Sequence, residues 1–126
     1  MSVRQSGEDY LETILILREK RGTCRCVDVA SYLGFSKPSV SIAMAKLEQA
    51  GCIRKNPDGE LLLTDEGLSI ASKTLDKHRF LTELFLAVGV TPETAEQDAC
   101  RIEHSLSEES YTRLREWHAE FTKKRG

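Results

Sequence analysis

No stretch of this 126-residue chain stays apolar for the roughly 18 residues a membrane-spanning helix needs, so it is not read as an integral membrane protein. The first dozen residues, MSVRQSGEDYLE, lack an apolar region ahead of a small-residue cleavage site. No signal peptide is therefore expected, and the reducing cytoplasm is the expected compartment. In that setting the four cysteines are expected to be thiols rather than disulfides. An excess of positive charge is missing as well: 18 basic against 20 acidic side chains argues against a generally basic nucleic-acid binder. No Gly/Ser-rich linker, internal repeat or low-complexity segment interrupts the chain. Its length suits one domain or two small subdomains that share a core.

What is present is ordinary for a soluble globular protein, with 40% hydrophobic and 30% charged residues, enough for a core without staples. Charge is divided mildly. Residues 23–64 hold five basic and four acidic side chains, and residues 65–126 hold nine basic and twelve acidic.

The helical punctuation predicts six helices. Ser6, with Asp9 three residues on, reads as a capping-box start for helix one, whose Tyr10, Leu11, Ile14, Leu15 and Leu17 recur at helical spacing up to Gly22. A short extended lead from Thr23 to Cys26 precedes helix two, Val27 to Leu33, which Gly34 can end in a left-handed cap. Ser36 caps helix three, with Pro38 in its first turn, running through Val40, Ala43, Met44 and Leu47 to Gly51. Two short helices joined by a glycine turn make a helix-turn-helix whose second helix reads DNA. Residues 52–55 and 60–63 then form strand-like runs about Asn56-Pro57-Asp58-Gly59, a β-hairpin wing carrying Arg54 and Lys55.

Thr64 caps a long helix four whose stripe includes Leu68, Ala71, Leu75, His78, Leu81, Phe85 and Val88. Thr91 and Pro92 open helix five with Ala95, Ala99, Ile102 and Leu106 on one face. Ser107 caps helix six, which carries Tyr111, Leu114, Trp117 and Phe121. The fold expected is mainly α: a winged helix-turn-helix over residues 1–65, then a helical subdomain over residues 66–126.

For DNA, the candidate contacts are Ser36, Lys37, Pro38, Ser39, Ser41 and Lys46 on helix three, with Arg54 and Lys55 of the wing reaching phosphates. Ser36 has a plainer role as a helix cap. For metal, Cys100, Glu103 and His104 fall within an arc of about 100° on helix five, and Asp9 and Glu12 share a face of helix one. His78 adds an imidazole. Such a mixed oxygen, nitrogen and sulfur set suits Fe(II), Mn(II), Co(II), Ni(II) or Zn(II) rather than Ca or Mg. Each residue also has a structural reading: a core histidine, charges at a helix start, a small buried thiol.

The motifs Glu8-Asp9-Tyr10-Leu11-Glu12, Pro38-Ser39-Val40-Ser41, Leu63-Thr64-Asp65-Glu66-Gly67, His78-Arg79 and Cys100-Arg101-Ile102-Glu103-His104 together resemble the metal-dependent repressors of the diphtheria-toxin-repressor and manganese-transport-regulator family. The resemblance covers nearly the whole length. It implies a homodimeric repressor that binds double-stranded operator DNA when Mn(II) or Fe(II) is bound, with no membrane and no small-molecule substrate as partner. It also implies ligands at Asp9, Glu12, His78, Glu103 and His104, and a short form without the SH3-like domain of longer members. Candidate dimerisation residues are Leu81, Phe85, Trp117 and Phe121. Cys100 departs from the manganese branch, which resembles a carboxylate site there, while Asp9 departs from the iron branch's methionine. The site therefore reads as a hybrid in which either the Cys100 sulfur or its carbonyl serves. Thr82 and Glu96 stand where the iron branch's ancillary site expects a carboxylate and a histidine.

Two rival classes are a metal-free winged-helix regulator responding to redox state or ligand, and a metalloenzyme. The second needs an open metal position and a positioned acid or base, and no such additional constellation is visible.

Overall fold

A computed structural model describes residues 5–125, so Met1 to Arg4, the start of the stretch read for a leader, lie outside the described residues. Helices α1 (Gln5–Arg21), α2 (Cys26–Leu33) and α3 (Lys37–Gln49) lead into a hairpin of β1 (Ile53–Lys55) and β2 (Leu61–Leu63). Helices α4 (Asp65–Ala87), α5 (Pro92–Ile102) and α6 (Glu108–Arg125) follow. The mainly α winged-helix architecture expected from the sequence is the one found. Among the described residues no helix is long and apolar enough to cross a membrane.

The chain divides into two compact units, up to Thr74 and from Leu75 onward. The division falls inside α4 rather than in a loop.

The first unit forms around Leu11, Ile14 and Leu17 of α1, Val29 of α2, Val40 and Met44 of α3, and Ile53 and Leu61 of the hairpin. Removing each such side chain from water contributes roughly 1.5–3 kcal/mol. Local signals set the element ends. Gly34, at φ +71°, closes α2, and the Phe35 amide donates to the Ala30 carbonyl at 3.0 Å. The Ser36 hydroxyl accepts from the Ser39 amide at 3.3 Å, with Pro38 in the first turn of α3. Ser6, expected as a cap, instead lies within α1, which already includes Gln5.

β1 and β2 are antiparallel, with Ile53 opposite Leu63 and Lys55 opposite Leu61. Their turn closes with the Gly59 amide donating to the Asn56 carbonyl at 2.9 Å. The Thr64 hydroxyl donates to the Gly51 carbonyl at 2.6 Å and accepts from the Gly67 amide at 3.1 Å, so it joins the wing's base to the first turn of α4. There Gly67 is required by space: a Cβ would stand 1.9 Å from the Cys52 carbonyl oxygen.

The second unit packs Phe80 and Leu81 of α4 against Ala99 of α5 and Tyr111 of α6, with Phe85 and Leu114 at its margin. Phe80 meets Tyr111 edge to face at a centroid distance of 5.7 Å and His118 at 5.5 Å. Lys77 pairs with Glu108 at 2.8 Å and lies over the Tyr111 ring. The apolar face of α5 differs from the expected one. Ile102 is exposed, and the buried column is Ala95, Ala99 and Glu103, at steps of four residues. A carboxylate thus occupies a core position.

Candidate metal centre and nucleic-acid interface

Glu103 follows the last residue of α5 yet keeps helical dihedrals, φ −54° and ψ −32°, and its amide donates to the Ala99 carbonyl at 2.9 Å. It therefore stays in line with Ala95 and Ala99 and is only 2% exposed. Glu103 and His104 both lie in the turn that closes α5, so the single helical arc expected for Cys100, Glu103 and His104 does not run through to His104. Glu103 Oε2 lies 2.8 Å from His78 Nδ1, and Oε1 lies 3.2 Å from His104 Nε2. Both imidazoles are largely enclosed, with side chains 18% and 3% exposed.

A buried carboxylate between two imidazoles is costly unless its oxygens are satisfied. With its proton on Nδ1, His78 donates to Oε2. Oε1 is different. Among the described residues it has no hydrogen-bond partner, because the His104 nitrogen stands within ion-pair distance without hydrogen-bond alignment. A cation satisfies such an oxygen. Two neutral imidazoles and a carboxylate fit Mn(II), Fe(II) or Zn(II), whereas Ca and Mg take oxygen donors. Cys100, by contrast, is exposed.

In the first unit Asp9 and Glu12, both partly buried, stand three residues apart on α1 and so share a helix face. Thr13 donates its hydroxyl to the Asp9 carbonyl at 2.8 Å.

On α3, Val40, Met44 and Leu47 face the core while Ser36, Lys37, Pro38, Ser39, Ser41 and Lys46 are exposed. Arg54 and Lys55 are exposed on β1. Residues unmarked in the sequence hold the wing. The extended lead to α2 lies along β2, with the Leu61 amide donating to the Cys24 carbonyl at 2.7 Å. Thr23 donates to Glu60, and Arg25 to the Asp58 carbonyl at the wing turn. Asn56 Nδ2 donates to the other Glu60 oxygen at 2.8 Å. The Thr23 and Asn56 hydrogen bonds hold the Glu60 carboxyl below the ordinary glutamate range. Apart from the Asn56–Glu60 bond, these contacts join residues more than 30 apart in sequence, which local periodicity cannot signal.

Of the dimerisation candidates, Leu81 is buried in the second unit's core and Phe85 packs against it. Trp117 and Phe121 are exposed on α6 and stack on each other at 5.2 Å, with their planes 13° apart. Thr82 uses its hydroxyl on the His78 carbonyl, 2.8 Å away, and Glu96 is exposed. Cys24 and Cys52 are buried free thiols; burial first, then the Asp28 charge, pushes Cys24 up to about 11.

Two family models match the chain in succession. Residues 3–61 match the iron dependent repressor N-terminal DNA binding domain, and residues 64–124 match the iron dependent repressor metal binding and dimerisation domain. The transcriptional regulator MntR of Escherichia coli O6:H1 is 36% identical over 123 residues, 98% of this chain and 77% of that protein. The HTH-type transcriptional regulator MJ0568 of Methanocaldococcus jannaschii is 34% identical over 123 residues, covering 95% of this chain and 98% of that protein. The crystal structure of T. acidophilum IdeR superposes with a TM-score of 0.78 at 29% identity, covering 94% of this chain and 55% of that one. A winged DNA-reading unit, a buried carboxylate between two imidazoles and matches along nearly the whole sequence converge: the chain belongs to the iron-dependent repressor family of metal-dependent transcriptional regulators.

Proposed function

We propose that this chain represses transcription by binding operator DNA as a homodimer when Mn(II) or Fe(II) occupies a site made by Asp9, Glu12, His78, Glu103 and His104. The observation that carries the reading is the buried Glu103 carboxylate, with imidazole nitrogens at 2.8 and 3.2 Å and one oxygen lacking a hydrogen-bond partner among the described residues. When bound, the metal supplies a positive charge that the carboxylates and imidazoles share. Asp9 and Glu12 contribute oxygen donors from α1, the helix whose Leu11, Ile14 and Leu17 also anchor the reading unit. Metal binding and DNA binding are then linked through the arrangement that both favour, by as much as the metal's affinities for the competing arrangements differ. The hard oxygen donors favour manganese, and the Cys100 sulfur, where it joins, favours iron or zinc.

The test measures binding to an operator duplex with Mn(II), Fe(II), Zn(II) or chelator. Metal is expected to tighten binding at least tenfold over chelator, and Glu103→Gln to remove most of that gain while the metal-free affinity stays the same. Equal affinity in metal and chelator overturns the metal reading and favours a metal-free regulator. Cys100→Ser and Cys100→Glu then report on ion choice: a changed order of metals assigns the sulfur, and an unchanged order removes the sulfur from the ligand set.

A further inference from the structure

Helix α3 has two apolar faces, and the core needs only one. Val40, Met44 and Leu47 point inward. At about 100° per residue, Pro38, Ile42 and Ala45 cluster on the opposite side of the same helix. All three are exposed, and Ile42 is 59% exposed, the most of any large apolar side chain among the described residues of the first unit. A lone exposed isoleucine is ordinary on a protein surface. This one stands at the centre of the outward face of the second helix of a helix-turn-helix, within the residues that match a DNA-binding domain. Ser39 and Lys46 flank the strip on one side and Ser41 on the other, and the first turn carries no acidic residue.

We propose that Ile42 is a specificity-determining residue that reads thymine through its C5-methyl group in the major groove of the operator. The inference rests on the DNA-binding reading above and goes further, assigning base choice to a residue that makes no hydrogen bond. The thymine methyl is the one apolar feature the major groove offers, and only apolar contact rewards it. The serine hydroxyls and lysines around the strip suit phosphates and base edges, so they fix register, while Ile42 discriminates T from C at the base beneath it. The adjoining Pro38 and Ala45 help keep water away from the contact.

The probe is a duplex enriched from a random-sequence library by the Mn(II)-loaded full chain. Each thymine is then replaced singly by deoxyuridine, which removes only the methyl. Binding by the wild-type chain is expected to weaken about fourfold at one or two positions per half-site, the effect of one buried methyl. Ile42→Ala should lose sensitivity at those positions with its thermal stability unchanged, and Val88→Ala, at an exposed apolar residue outside the first unit, should keep it. A wild-type chain indifferent to every replacement, or an Ile42→Ala chain with the same positional losses, overturns the proposal. If metal enriches no sequence, the DNA-binding reading falls and this one with it.

Discussion

Single residues carry more chemistry here than their neighbours in sequence suggest. Glu103 was visible as an acid beside a histidine, but its depth was not, because burial follows from continuing the Ala95 and Ala99 column past the helix end. Steps of four from two alanines were a signal available in the sequence; the apolar Ile102 masked it by fitting a plausible stripe. The cysteines separate equally by environment. Cys24 is fully buried and its thiol is raised to about 11, so its neutral form belongs to the folded state. The stability this contributes is complete below the ordinary thiol value near 9 and is lost as pH rises through about 11. Denaturant titrations should therefore show a steeper fall in stability over that window for the wild-type chain than for Cys24→Ala. At neutral pH a thiol reagent should label exposed Cys100 well before Cys24 or Cys52.

Elements were legible where their ends carry local chemistry. Gly34, Ser36 with Pro38, Thr64 and Ser107 all mark real boundaries, because a cap needs only the residues within one turn of it. Ser6 failed as a cap because the same pattern also fits the interior of a first turn. The wing's anchoring was not legible at all, since Thr23, Arg25, Asp58 and Glu60 meet only once the hairpin has folded back along the lead to α2. Where α4 meets the hairpin, backbone lies against backbone. Gly67→Ala should lower stability by roughly 1–3 kcal/mol, because a carbonyl cannot step aside as a flexible side chain can. Thermal melting compared with Gly22→Ala checks this: Gly22 has open space around it, so its substitution meets only the strain of a positive φ.

For the molecule as a whole, the order of elements and the family were readable from one sequence because most helices carry a signal of their period or of an end. The inward and outward sides of α3 were harder, since its apolar residues lie on both faces and periodicity alone does not say which face has a core to meet. The division of the chain at Thr74 and Leu75 has a practical consequence of its own. It falls at two buried residues inside a 23-residue helix, with the Thr74 hydroxyl donating to the Ile70 carbonyl at 3.0 Å. Proteases cut where backbone is exposed and can unfold locally, and this junction offers neither. Limited trypsin digestion should therefore leave Lys73 and Lys77 intact and release no fragment ending there, while mass spectrometry finds the earliest cuts elsewhere. A chain stopped at Thr74 would end in mid-helix, with its last carbonyls deprived of their partners. The two halves can be told apart, but the place where they divide is not where they can be separated.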